Sequence, residues 1–285
     1  MFLKLTIFAC IFVLPLTANP ICNDGYTLVN DNKCWKLFYF TETGPAADEI
    51  CRTRGGGILA TLKNAIDNRG LLTFLNDTNI NRVWLGLKCT GLSPSTCQWD
   101  DTTSVQYSSF SSGFPNHRFG ECVYYSADGY PAGQWASGEC DDSLPFVCEL
   151  PTTGVDRSNY DCDVNYNYNC YKRSNDLVPF SYAQGGCTHR PSGNLASIHS
   201  YLENRFITSL YKTTDNVWIG GLAPGSGLIV WTDGTKNDYY NLKRTLNGTC
   251  VSMSFTKGDR WPAGYWSAGD CGVENISLCK RPIKV

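Results

Sequence analysis

The sequence predicts an α+β protein, disulfide-stabilised and made of two tandem copies of one domain. Three observations predict it. A run of helix, short strand, helix and core strand occurs twice; tryptophans and cysteines match between the two copies along the rest of the chain; and all but one of the 15 cysteines follow an export-like N-terminal segment.

The later copy is the plainer one. Phe180, Ala183 and Cys187 fall at helical spacing over Phe180–His189, and Asn194–Ile198 reads as a short extended run. From Ser200 onward, Leu202, Phe206, Ile207 and Leu210 lie on one helical face. Ser200 and Glu203 form a start signal in which hydroxyl and carboxylate satisfy each other's free backbone N–H groups. Val217–Leu222 reads as a buried strand with glycines where another backbone approaches closely. The earlier copy, Pro45–Leu87, repeats this unit: Cys51 matches Cys187, Leu59–Leu62 matches Leu195–Ile198, and Val83–Leu87 matches the Trp-Gly strand. Beyond it, Trp99 matches Trp231, Cys122 matches Cys250, Trp135 matches Trp266, Cys140 matches Cys271, and Cys148 matches Cys279, all at offsets of 128 to 136 residues. A period this long denotes whole domains rather than a solenoid.

Met1–Ala18, with Lys4 before an apolar run from Leu5 to Leu16, reads as a secretory signal too short for a membrane span. The expectation is a secreted, extracellular protein. Cys10 lies in that signal, which leaves an even number of cysteines in an exported chain and predicts disulfides. Zinc is the competing reading, but no C-x-x-C pair occurs. Without Lys4 the chain carries 23 Lys and Arg against 26 Asp and Glu, so nucleic acid and anionic membrane surfaces are poor partners. The repeat places domain one at residues 21–150 and domain two at 161–281. The polar, Pro- and Gly-containing stretch 151–160 reads as a linker, which predicts domains that tumble semi-independently while staying close.

Several features together carry a family resemblance. They are the cysteine pairs Cys51/Cys148 and Cys187/Cys279, the inner pairs Cys122/Cys140 and Cys250/Cys271, and the Trp-Leu-Gly and Trp-Ile-Gly-Gly strands. The runs Trp231–Thr235 (WTDGT) and Trp99–Thr103 (WDDTT) and the N-terminal pairs Cys22/Cys34 and Cys162/Cys170 add to them. Each copy resembles a C-type lectin-like domain. The resemblance implies two helices flanking small antiparallel sheets, a long loop region projecting from one end, and disulfides joining each of the pairs just named. The two cysteines left over in domain one, Cys89 and Cys97, are then paired with each other.

Sugar-binding members of the family hold calcium through a proline-containing loop triplet and a later W-N-D triplet; a hard cation of this kind needs about six to eight oxygens. Here the first triplet reads Phe114-Pro115-Asn116 and the second Trp135-Ala136-Ser137, while domain two offers Trp266-Ser267-Ala268 and no proline from Asp233 to Thr249. Neither calcium nor any other cofactor is expected. The matching proline in sugar-binding relatives is cis, which raises the same question for Pro115.

The candidate ligand-binding residues are Phe114, Asn116, His117, Arg118 and Glu121 in one loop, Asp238 and Asn241 in domain two, and Tyr130 and Trp261 in a repeated D-x-[YW]-P-A-G-x-W turn. Aromatic faces with a few convergent hydrogen bonds suit sugars, and aromatic and Arg anchors suit protein partners. The competing reading is that these aromatics tuck inward and cover their own backbone. No catalytic residues are expected: His117, His189 and His199 have no nucleophile or metal partner at a useful spacing, and neither G-x-S-x-G nor H-E-x-x-H occurs. Asn76, Asn247 and Asn275 open glycosylation sequons, Asn275 between two bridged cysteines. The reading is a calcium-independent binder of extracellular glycans, which family habit places in innate immunity; the alternative is a protein-binding module without sugar activity.

Overall fold

The computed structural model describes residues 19–284 apart from Gly55, Tyr130, Arg190, Pro191, Lys212, Thr214, Ser226, Gly258 and Asp259. The signal segment therefore lies outside the described residues. Domain one runs β1 (Thr27–Val29), β2 (Lys33–Glu42), α1 (Gly44–Thr53), β3 (Ile58–Leu59), α2 (Ala65–Leu75), β4 (Arg82–Cys89), β5 (Cys97–Trp99), β6 (Cys122–Ser126), β7 (Gln134–Gly138) and β8 (Leu144–Pro151). Domain two runs β9 (Val164–Tyr166), β10 (Asn169–Val178), α3 (Phe180–His189), β11 (Asn194–Leu195), α4 (Tyr201–Leu210) and β12 (Asn216–Gly225). It continues through β13 (Leu228–Trp231), β14 (Leu242–Thr245), β15 (Cys250–Ser254), β16 (Trp266–Gly269) and β17 (Asn275–Pro282).

Each domain carries one mixed sheet rather than several small antiparallel ones, in the orders β1-β2-β8-β4-β6-β7 and β14-β16-β15-β12-β17-β10-β9. Most pairs are antiparallel, but β4 with β8, β12 with β17 and β14 with β16 are parallel. The connection from β7 crosses to the far side of β4, so β8 runs alongside β4 in the same sense.

The helices begin where their caps sit. Thr43 caps α1 with Pro45 in the first turn, where a missing N–H costs nothing. Asn64 caps α2 through Asp67 N–H at 2.9 Å, and Ser200 caps α4 through Glu203 N–H at 3.0 Å. The reciprocal half of the α4 start differs from the expected box: the Glu203 carboxylate accepts from His199 N–H at 2.8 Å, one residue further back than Ser200. Asp67 does the same to Lys63 N–H at 2.9 Å.

The seven disulfides are Cys22–Cys34, Cys51–Cys148, Cys89–Cys97, Cys122–Cys140, Cys162–Cys170, Cys187–Cys279 and Cys250–Cys271, the pairing that the resemblance implied. Trp84, Trp99, Trp135, Trp218, Trp231 and Trp266 all lie in the cores.

The linker does not leave the domains to tumble. Its Asp156 pairs with buried Arg281 and accepts Lys284 N–H at 3.0 Å, and Thr153 forms a two-way backbone bridge with Ile21. Domain two's core cluster takes in Cys34 and Leu150 of domain one. Gly56 lies so close to α4 that a Cβ there would stand 2.5 Å from the Phe206 Cα. Arg205 reaches across to Asp48 with its outer nitrogens, at 2.7 Å to Oδ1 and 2.8 Å to the carbonyl. A stretch of linker composition is thus folded into the joint, because backbone and charged groups on both sides find partners there.

Candidate ligand-binding surface

In domain one the loop between β5 and β6 gathers most of the sequence candidates. The Phe114–Pro115 peptide is cis. Asn116 donates its N–H to Ser137 Oγ at 2.9 Å, and its Oδ1 accepts from Arg118 N–H at 3.2 Å, capping a single 3-10 turn over His117–Phe119. Phe114 and Phe119 have ring centroids 5.7 Å apart, and Phe119 remains 57% exposed. His117, Arg118 and Glu121 are exposed beside them. The Glu121 carbonyl accepts Cys89 N–H at 2.9 Å, which ties the loop to the end of β4. Gly120 makes the turn possible: its φ is +110°, and a Cβ would sit 2.0 Å from the Gly138 oxygen. Gly248 stands in the same relation to Gly269 in domain two, at 2.1 Å.

These donors do not fit a calcium shell. The Asn116 amide oxygen is turned to its own turn, buried Ala136 brings no oxygen, and Ser137 Oγ is bonded to Asn116. In domain two Ala268 is fully buried and again contributes none. Among the described residues, one group of candidate metal ligands gathers, Asp156 with Cys162 and Cys170, and those two sulfurs are joined in a disulfide.

The domain-two candidates are not brought into one site. Asn241 donates to the Gly264 carbonyl at 2.8 Å and so holds the repeated turn. Trp261 is half-buried with its ring 5.6 Å from Tyr265, while Tyr130, its counterpart, lies outside the described residues. The turn itself is a structural lock. Asn204 bonds Trp266 Nε1 at 2.8 Å and the Gly264 carbonyl at 3.1 Å, as Asn68 bonds Trp135 Nε1 at 2.8 Å and the Gly133 carbonyl at 2.9 Å.

The structure corrects the reading of His199. Its Nδ1 lies 2.7 Å from Asp238 Oδ1, and its Nε2 lies 2.9 Å from Ser197 Oγ and 3.1 Å from Thr235 Oγ1. Ser197 and His199 share one side of an extended run, as residues i and i+2 do. The order Ser, His, Asp does not make a nucleophile here. Ser197 is 1% exposed, and its hydroxyl donates to Asp233 Oδ2 at 2.5 Å. Burial would raise the Asp233 carboxyl, but hydrogen bonds from Ser197 and Thr235 outweigh it and hold it below the ordinary carboxylate range. Domain one builds the same corner with Lys63, which bonds Asp101 Oδ1 at 3.0 Å and lies 4.9 Å over the Trp99 ring. The group is a clasp that fastens the loop after the WTDGT run.

A family model described as "Lectin C-type domain" matches residues 41–150 and again 177–281. The chain belongs to the C-type lectin domain family. The family is generally non-enzymatic. Over 272 residues it is 40% identical to C-type lectin domain-containing protein 38 of Caenorhabditis elegans, covering 94% of this chain and 70% of that protein. It is 24% identical over 261 residues to the secretory phospholipase A2 receptor of Oryctolagus cuniculus, covering 83% of this chain but only 17% of the receptor. Human lithostathine superposes with a TM-score of 0.41 at 22% identity, over 46% of this chain and 99% of that one. No helix among the described residues is long and apolar enough to cross a membrane.

Proposed function

We propose that this C-type lectin domain protein is secreted, binds extracellular carbohydrate without calcium, and does so through the Phe114–Glu121 loop of domain one. The observation that carries the reading is the composition of that loop's surface. An exposed aromatic ring, Phe119, sits among exposed His117, Arg118 and Glu121, while the oxygens that a cation would require are spent internally or missing. An aromatic face with flanking donors and acceptors is a recurring means of holding a sugar ring in the absence of a metal. Fourteen disulfide-bonded cysteines support an oxidising, extracellular location. There, exposed Asn76 and Asn247 would accept glycans more readily than Asn275, half-buried at the start of β17. A role in innate immunity follows from family habit alone.

A glycan array run with and without chelator tests the proposal, using the parent chain and Phe119→Ala. The expected outcome is binding that chelator leaves intact and F119A removes. Binding abolished by chelator overturns the calcium-independent mechanism. Silence on every glycan favours the second reading, a protein-binding module, which the exposure of Phe119 beside Arg118 also suits and to which the receptor relative's name points.

A further inference from the structure

The joint between the domains encloses a cleft of about 370 Å³, lined from domain one by Glu49 and Arg52 on α1 and from domain two by α4 and two loops. Its charge is one-sided. Arg52, Arg205 and Lys257 line it against a single carboxylate, Glu49, which is already paired with Arg52. Lys257 is exposed and makes no ion pair among the described residues. Arg205 is 6% exposed; its outer nitrogens are committed to Asp48, and the Tyr201 hydroxyl faces the same guanidinium.

The neutral lining is suited to hydroxyl groups. Tyr201 and Tyr239 line the cleft, and their phenols lie near one another: burial first, and then the neighbouring Tyr201, push the Tyr239 hydroxyl up to about 12. Asn241 spends its amide N–H on the Gly264 carbonyl, leaving Oδ1 with no hydrogen-bond partner among the described residues. The two tyrosines bring rings and hydroxyls together, and Asn241 adds an acceptor. An anion alone would use the cations and leave these groups idle; a neutral sugar would do the reverse.

We propose that this interdomain cleft is a second binding site, for a carboxylate-bearing sugar such as a hexuronate at the end of a saccharide chain. The carboxylate meets Lys257 in the positive field of Arg52 and Arg205, and the ring hydroxyls meet Tyr201, Tyr239 and Asn241. The site exists only because two domains are docked, so neither domain alone would carry it. It is separate from the Phe114–Glu121 loop and does not depend on that loop binding sugar.

The test is an NMR titration of the full-length mature chain, labelled at backbone nitrogen, with glucuronate, glucose and acetate as separate probes. Glucuronate is expected to move the amides of Tyr201, Tyr239 and Asn241 saturably, with glucose and acetate each at least about tenfold weaker, since charge-assisted and neutral hydrogen bonds contribute together. Lys257→Glu is expected to weaken glucuronate about tenfold or more, and raised salt to weaken it in the parent chain. Acetate binding as well as glucuronate overturns the saccharide, and glucose binding as well overturns the anion site. Shifts confined to residues 114–121, or an undiminished K257E, overturn the location. Array binding that F119A leaves intact would refute the loop reading and leave this result standing; silence of the cleft amides would do the opposite.

Discussion

The two domains solve one packing problem with opposite charges. In domain one the last strand supplies an acid: Glu149 accepts from Lys33 Nζ at 3.0 Å, Trp35 Nε1 at 3.0 Å and Thr61 N–H at 2.9 Å. In domain two the matching strand position holds a base. Lys280 reaches Glu203 at 2.5 Å and the Ser197 carbonyl at 2.9 Å, and Tyr171, standing where Trp35 stands, donates to Glu203 at 2.5 Å. The lock between the asparagine of the second helix and the repeated turn is the same in both. The difference separates two kinds of requirement. A bond from a side chain to a fixed backbone carbonyl and an indole N–H admits one chemistry, whereas a network of side chains needs every member satisfied but not a particular sign.

The largest effect should come from breaking a network on one side only. Glu149→Ala leaves the Lys33 ammonium, the Trp35 indole and the Thr61 N–H without their shared acceptor, and a loss of about 3–5 kcal/mol in denaturant unfolding is expected. Lys280→Ala should cost less, because Glu203 keeps Tyr171 and the His199 N–H. Equal losses would mean that the two networks are not related by exchange of sign.

The turn lock gives a finer comparison. Asn68→Ala strands the buried Trp135 N–H while the Gly133 carbonyl keeps the Ser109 hydroxyl, for about 2 kcal/mol by thermal or chemical unfolding. Asn204→Ala strands Trp266 likewise while Gly264 keeps Asn241, so the two costs should agree within about 1 kcal/mol.

Much of this architecture was legible in the sequence, and what was missed shares a cause. Phe180–His189 and the Ser200 start could be read because periodicity and caps are local signals, and the cysteine pairs because a family pattern supplies the partner. Arg205 could not. It stands on α4 between Asn204 and Phe206, where an arginine ordinarily faces water, and is held instead by Asp48 of the other domain. Gly56, in an Arg-Gly-Gly-Gly run that reads as loop, is required by contact with Phe206, far away in sequence. The sequence offers Asn116 and Asn241 as ligand-binding candidates, and both spend hydrogen-bonding capacity on backbone, which residue type alone does not disclose.

A third contrast concerns the residue beneath the glycine of each core strand. Domain one has Asp100 there, whose Oδ2 would stand 2.9 Å from a Cβ on Gly86, while domain two has Thr232, 2.7 Å from one on Gly220. Burial first, and then the nearby Asp48 carboxylate, raise the Asp100 carboxyl from 3.8 to about 7, with Lys88 and Arg205 opposing. A carboxyl with a raised folded-state pKa contributes stability that is complete below its unfolded value and is lost as pH climbs to the folded one. Asp101, Asp156, Asp163 and Asp233, all lowered, act in the other window and lose their contribution as pH falls below the usual carboxylate range. Asp100→Asn should therefore remove a decline of about 2 kcal/mol between pH 4 and pH 7. Unfolding curves measured across that interval check it, and a slope unchanged by the substitution contradicts it.

The smallest effect is expected where the two clasps differ, at Lys63 and His199. Lys63 fastens its loop with an ammonium that bonds Asp101 and covers Trp99, whereas His199 fastens the other with three separate contacts, one of them to Asp238 far along the loop. Asp238 is 57% exposed by side chain, so its bond to the imidazole is worth little in overall stability, about 1 kcal/mol or less. Its effect should be local. His199→Ala is expected to speed amide hydrogen exchange between Thr235 and Tyr240 while leaving the Asp101–Thr103 amides as they were, because Ser197 and Thr235 still hold Asp233 and the strand below the loop stays intact. Exchange that rises equally in both domains would show that the loops are coupled through the joint, and the comparison of independent clasps would fail.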